Sequence, residues 1–165
     1  MALDHDDKTA PPPAAGPADA EKRSPSEARL NTLGVVLAGA GAALLVFVLY
    51  LMTLAPTVLY YDDPGLLDAA MVQMQVAVLG ITHPTGYPTY LMLSHLFTYL
   101  PFGDVAYRVN LASAAYAALS VIVVYAAGLI VSRRVIAAAV AALAFGLGGA
   151  LWSQAVIAEV YTLNA

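Results

Sequence analysis

Residues 56–110 read PTVLYYDDPGLLDAAMVQMQVAVLGITHPTGYPTYLMLSHLFTYLPFGDVAYRVN, and whether this stretch crosses a membrane or lies beside one decides the fold. It stands between two long apolar runs, yet it is too polar and too often broken by proline and glycine to be membrane throughout. Its landmarks are Tyr60-Tyr61-Asp62-Asp63-Pro64-Gly65, an amphipathic run from Leu66 to Leu79, and the turn Gly80-Ile81-Thr82-His83-Pro84-Thr85-Gly86-Tyr87-Pro88. It closes with Leu100-Pro101-Phe102-Gly103-Asp104 and Tyr107-Arg108-Val109-Asn110. Titratable groups beside a membrane cost free energy to hold, so their gathering here marks a candidate site.

Two segments inside the stretch are apolar enough to be tested as spans. Leu66 to Leu79 carries Asp68, Gln73 and Gln75 and fits an amphipathic helix on the membrane surface. Tyr87 to Leu100 offers about 14 residues, roughly 21 Å of helix, against a hydrocarbon core of about 30 Å, and it contains Ser94 and His95. The flanking charges give an independent test. Lys22, Arg23 and Arg29 precede the first apolar run, Asp62 and Asp63 follow it, and Arg133-Arg134 end the second. With Tyr87 to Leu100 lying in the interface, all the basic groups that flank spans fall on one side, as the positive-inside rule requires.

Working outward, the sequence predicts an all-α integral membrane protein with multi-pass helices and an extracytoplasmic loop of juxtamembrane helices. The transmembrane helices are expected at about 33–54, 107–131 and 135–152, with the outer loop at 55–106, residues 31–165 forming the N-terminal part of a membrane domain. Residues 1–30, rich in proline, alanine and mixed charge, read as a disordered tail, which the basic residues place in the cytoplasm. The expected location is the cell membrane. The first helix comes too late for a cleavable signal and is expected to stay as an anchor. Residues 158–165 carry no helix stop signal, so the chain reads as the N-terminal piece of something longer.

Composition narrows the function classes. With 165 residues, a mean hydropathy of +0.75, 61% hydrophobic and 11% charged residues, the chain is too apolar for a soluble domain. No basic patch points to nucleic acid, and the absence of cysteine excludes disulfides and thiolate metal sites.

The candidate chemistry lies near one membrane face. Asp62 and Asp63 can act as a general base at the interface, although Asp-Asp-Pro-Gly also makes a good turn. Arg108 can hold a phosphate bidentately or simply snorkel to the headgroups. His83 can donate to a phosphate or sugar oxygen in a turn that the prolines and glycine shape. Glu159, beyond Trp152 at the end of the third span, is costly at a membrane boundary and is a further candidate. No cofactor is identified from the residues, and an aspartate-bound divalent metal such as Mg²⁺ stays open.

The order of these motifs resembles the first luminal loop of protein O-mannosyltransferases and related GT-C membrane glycosyltransferases. More closely, TLAPTV, GITHPTGYP, LPFGDVAYRVNLASA and WSQAVIAEVYTLNA are similar to the N-terminal part of the protein O-mannosyltransferase-like family built on domain of unknown function 2723, over about Thr53 to Ala165. The resemblance implies a GT-C-like fold and transfer of a sugar from a polyprenyl-phosphate-linked donor to a hydroxyl of a protein or glycan acceptor on the extracytoplasmic face. It carries Asp62 over as the base. His83, Pro84, Gly86, Tyr87 and Pro88 match the turn, and Arg108 and Asn110 match the start of the next helix. Many relatives follow the aspartate with Ser-Gly-Glu, where this chain has Asp63-Pro64-Gly65. A second carboxylate is then Asp63 or Asp68, or none is needed. A transporter or flippase subunit for lipid-linked sugars and a non-catalytic membrane scaffold are the alternatives; the three apolar spans hold no ionisable side chain at mid-membrane, which counts against proton-coupled transport.

Overall fold

A computed structural model describes the backbone of residues 25–58, 64–84 and 86–165, and side chains from residue 32 onward except 59–67 and 85. Asp62 and Asp63 lie outside the described residues, as does most of the expected tail. Among the described residues every element is helical: α1 (Pro25–Thr53), α2 (Pro64–Val78), α3 (Pro88–His95) with a 3-10 turn (Leu96–Tyr99), α4 (Val105–Ser132), α5 (Val135–Gly146), α6 (Gly149–Ala155) and α7 (Tyr161–Asn164). The chain divides into two units, Met1–Gly34 and Val35–Ala165. Every packing contact given below lies within the second.

The protein has an all-α, multi-pass membrane fold. Thr32–Thr53 of α1 and the whole of α4 are long and apolar enough to cross a membrane. At 1.5 Å per residue they reach about 33 and 42 Å. Leu44, Leu119, Ile122, Ile130, Ile136 and Val140 stand exposed, a pattern that water would penalise and lipid tails accept. Helix α1 begins at Pro25, ahead of the boundary expected near residue 30, and proline's fixed φ suits a first helical turn.

The packed faces join α1, α4 and α5 through Val46, Tyr50, Ala114, Ala117, Val121, Tyr125, Ala138 and Ala142. Small residues let the backbones approach. At Gly128 an added Cβ would stand 3.1 Å from the Cα of Ala138 and 3.2 Å from its Cβ, so α4 and α5 must separate to admit a larger side chain. Gly128→Val is therefore expected to destabilise the fold by about 1–3 kcal/mol, read as a lower denaturant midpoint in micelles. An unchanged midpoint would mean that the two helices do not meet there.

The third apolar run, expected as a span over about 135–152, is broken in the middle. It is α5 and α6, bent by 59° at Leu147 and Gly148. Gly148 takes an extended backbone, which ends α5 and leaves carbonyls without helical partners. The Tyr50 hydroxyl meets one of them, donating to the Gly146 carbonyl at 2.5 Å. Beyond the bend, Trp152 packs edge-on against the Tyr50 ring and donates its indole N–H to the Thr53 hydroxyl at 3.1 Å. A break in an apolar run is tolerated where such groups satisfy the freed backbone.

Neither segment of the 56–110 stretch tested as a span is long enough to cross. α2 has 15 residues and α3 has 8, with the 3-10 turn adding 4. Both pack on the first half of α4 through Val72, Val76, Tyr90, Leu91, Val109, Ala112 and Tyr116.

Candidate functional site

The turn after α2 is built from left-handed backbone. Leu79 has φ 50°, and the Gly80 N–H returns to the Gln75 carbonyl at 2.9 Å, which closes the helix. Gly86 has φ 83° and its N–H meets the His83 carbonyl, after which Tyr87 at φ 41° caps α3 and Pro88 opens it. A tyrosine with positive φ is an uncommon and strained choice, of the kind held at functional sites. Its ring meets His83 edge to face at 5.6 Å, while the buried Nδ1 of His83 has no protein partner.

Tyr87, Pro88, Thr89 and Tyr90 form one wall of a cleft of about 230 Å³, and Val160, Leu163 and Asn164 form the other. Glu159 immediately precedes the second wall. Burial, and then the like charge of Asp68 on α2, push its carboxyl up to about 7. The Tyr90 hydroxyl is buried, which raises its pKa, and it bonds Ser113 of α4 at 2.8 Å. The structure thus brings Tyr87 and Tyr90 to one cleft, with His83 against Tyr87, while Glu159 stands next to the lining residue Val160 in sequence and close enough to Tyr90 to act on its phenol.

Arg108 is placed otherwise. One guanidinium nitrogen donates to the Thr98 carbonyl, while Nε and the other terminal nitrogen donate to the Gly103 carbonyl at 3.3 and 3.0 Å. The side chain thereby clasps the loop before α4 to the first turn of that helix, and two of its five N–H groups stay outside these bonds. Asp104 caps the same turn, accepting from the Tyr107 N–H at 2.7 Å, and its carboxyl is held below the usual range first by the Thr57 hydroxyl. Arg108 is not among the side chains lining the cleft.

Sequence reasoning gave no chemical role to two buried polar groups of α4, Asn110 and Ser113. Asn110, fully buried on α4, accepts from Gln73 Nε2 at 2.7 Å and donates to the Ala55 carbonyl at 2.9 Å. Ser113, one turn further on, is fully buried against Glu159 and Tyr90. Asp68 entered only as an alternative second carboxylate. The available signal was the i, i+3 spacing of Asn110 and Ser113 in an otherwise apolar span, which puts two costly groups on one face. Among the described residues no group of three or more His, Asp or Glu is placed to hold a metal.

Comparison with known proteins gives the family. The protein O-mannosyl-transferase TMEM260 of mouse (Mus musculus) is 36% identical over 87 residues, which are 52% of this chain and 12% of that protein. No solved structure matches. The family model for the protein O-mannosyl-transferase TMEM260 N-terminal domain matches residues 68–165, more than half of the chain and the part that holds the cleft, Arg108 and Glu159, and the chain belongs to that family.

Proposed function

We propose that this chain is the N-terminal part of a membrane glycosyltransferase that moves a sugar from a polyprenyl-phosphate-linked donor to a hydroxyl of a protein or glycan acceptor on the extracytoplasmic face. The observation that carries the reading is a cleft with two tyrosines in one wall, a carboxyl residue beside the other and family membership over the same residues. Aromatic faces and an amide such as Asn164 suit a sugar ring. In the transfer, the acceptor oxygen forms a bond to the anomeric carbon, the bond from that carbon to the phosphate oxygen breaks, and polyprenyl phosphate leaves with the electron pair. The acceptor proton passes to a carboxylate, assigned to Asp62 with Asp63 as the second acid. His83, Tyr87, Arg108 and Glu159 are assigned to the donor, Arg108 through the N–H groups that the loop leaves over.

The test is sugar transfer by the full-length protein in proteoliposomes, with a polyprenyl-phosphate-linked mannose and then other lipid-linked sugars. Transfer to a protein or glycan hydroxyl is expected. A protein that moves the intact lipid-linked sugar across the bilayer without transferring it would be a flippase instead.

The orientation is part of the proposal: tail and Arg133-Arg134 inside, residues 55–106 outside. Because the chain has no cysteine, single-cysteine variants report it directly. Pro101→Cys is expected to react with an impermeant reagent in intact cells and Arg134→Cys only after permeabilisation. The reverse pattern would invert the topology.

A further inference from the structure

Ser113 behaves unlike the other serines of α4. Ser120 and Ser132 return their hydroxyls to carbonyls one turn back in their own helix, at 3.2 and 2.6 Å, as serines in apolar helices commonly do. The Ser113 hydroxyl leaves its helix and grips the backbone of one residue 46 positions away, accepting the Glu159 N–H at 3.1 Å and donating to the Glu159 carbonyl at 3.3 Å. A hydroxyl has one proton and two lone pairs, which leaves Ser113 able to bond the Tyr90 hydroxyl, 2.8 Å away, as well. Tyr90 also hydrogen-bonds Ser94, whose hydroxyl lies 3.3 Å from that of Tyr116. Four hydroxyls from α3 and α4, those of Ser113, Tyr90, Ser94 and Tyr116, thus gather in one network that ends on the Glu159 backbone. Thr162 adds a second donor to the same carbonyl at 3.1 Å.

We propose that Ser113 is a positioning residue that sets Glu159 beside the Tyr87–Tyr90 cleft, where its carboxyl hydrogen-bonds a phosphate oxygen of the lipid-linked sugar. The inference rests on the glycosyltransferase reading and adds to it a pH-gated donor site. Groups acting on the Glu159 carboxyl come from the elements around it: the Asp68 carboxylate from α2 and the Tyr90 phenol from α3, with Ser113 of α4 at its backbone. Burial and Asp68 both favour the neutral acid, which persists up to about pH 7. The sign follows. Below that pH the acid donates to the phosphate; above it, a carboxylate faces the phosphate and the two anions repel.

The experiment measures binding of a polyprenyl-phosphate-linked mannose to the full-length protein in proteoliposomes from pH 5.5 to 8.5, beside donor KM and kcat. If only the neutral form binds, affinity at one pH unit above the midpoint is about tenfold weaker than the limit at low pH. Glu159→Gln, a neutral donor at every pH, is expected to flatten the profile and tighten binding at pH 8 by about tenfold. Asp68→Asn moves the midpoint to lower pH. Ser113→Ala raises donor KM with a much smaller effect on kcat, and Ser113→Thr, which keeps the hydroxyl, restores part of the loss. Binding that does not vary with pH in the unaltered protein, or a Glu159→Gln protein that binds donor normally but no longer turns over, overturns the inference and leaves the glycosyltransferase reading standing. Absence of donor binding at every pH overturns that reading itself.

Discussion

Replacing Asp62 with asparagine is expected to lower sugar transfer by about 10²- to 10⁴-fold, the usual worth of a positioned general base, with donor binding and membrane insertion largely kept. The amide matches the carboxylate in shape but has no lone pair basic enough to take the acceptor proton, so the loss should appear in turnover. Asp62 is the member of the acidic pair that the family resemblance selects, and it follows two tyrosines, Tyr60 and Tyr61, in sequence. Asp63→Asn is expected to cost less, because that position is where the chain departs from its relatives. The contrast with Glu159 sharpens the test: a base and a hydrogen-bond donor respond oppositely to amide substitution at high pH. Near-normal turnover in Asp62→Asn, with loss in Asp63→Asn or Asp68→Asn, would move the base to another carboxylate. Full activity in all three would remove this acidic stretch from the chemistry.

What could be read from the sequence follows the range of the interactions involved. The α1 and α4 spans were legible because a charge-free run of about 22 residues has few other places to go. The short α2 and α3 were legible from their polar residues and flanking prolines. The bend between α5 and α6 was not. Phe145-Gly146-Leu147-Gly148-Gly149 carries the glycines, but glycine is common in straight spanning helices, and what accepts the break is Tyr50, 96 residues away. Arg108 shows the same limit at shorter range. A helix-start arginine reads as a headgroup contact, whereas the carbonyls of Thr98 and Gly103 claim three of its N–H groups. Tyr87 and Glu159 were each named for chemistry, yet what holds the Glu159 backbone near Tyr90 is Ser113, 46 residues away. No local pattern encodes that contact.

Asn110→Leu is expected to be the most damaging substitution for stability among the described polar residues, at about 2–4 kcal/mol, with loss of transfer as a consequence. Leucine fits the volume but strands two buried groups: the Gln73 amide N–H, on a side chain 5% exposed, and the Ala55 carbonyl, on a residue 6% exposed. Each unsatisfied buried group costs about 1–3 kcal/mol, and partners available to polar groups in the unfolded membrane state pull the sum down. Ala55 also donates its N–H to the Val156 carbonyl at 2.9 Å, so one residue ties the end of α1 both to α4 and to the segment before Glu159. Losing Asn110 therefore frees the Ala55 carbonyl and the Gln73 amide, which lie on either side of the acidic pair in sequence. Gln73 Oε1 already lacks a protein partner, so the pair is incompletely satisfied in the intact protein. Replacing both members by apolar residues removes the stranded amide, and Gln73→Leu/Asn110→Leu should be less destabilised than the sum of the two single variants. Denaturant unfolding in micelles of all four proteins measures the coupling. Strict additivity would mean that Gln73 and Asn110 do not act as a pair, and a stable Asn110→Leu protein would show that the buried amide is dispensable to the fold.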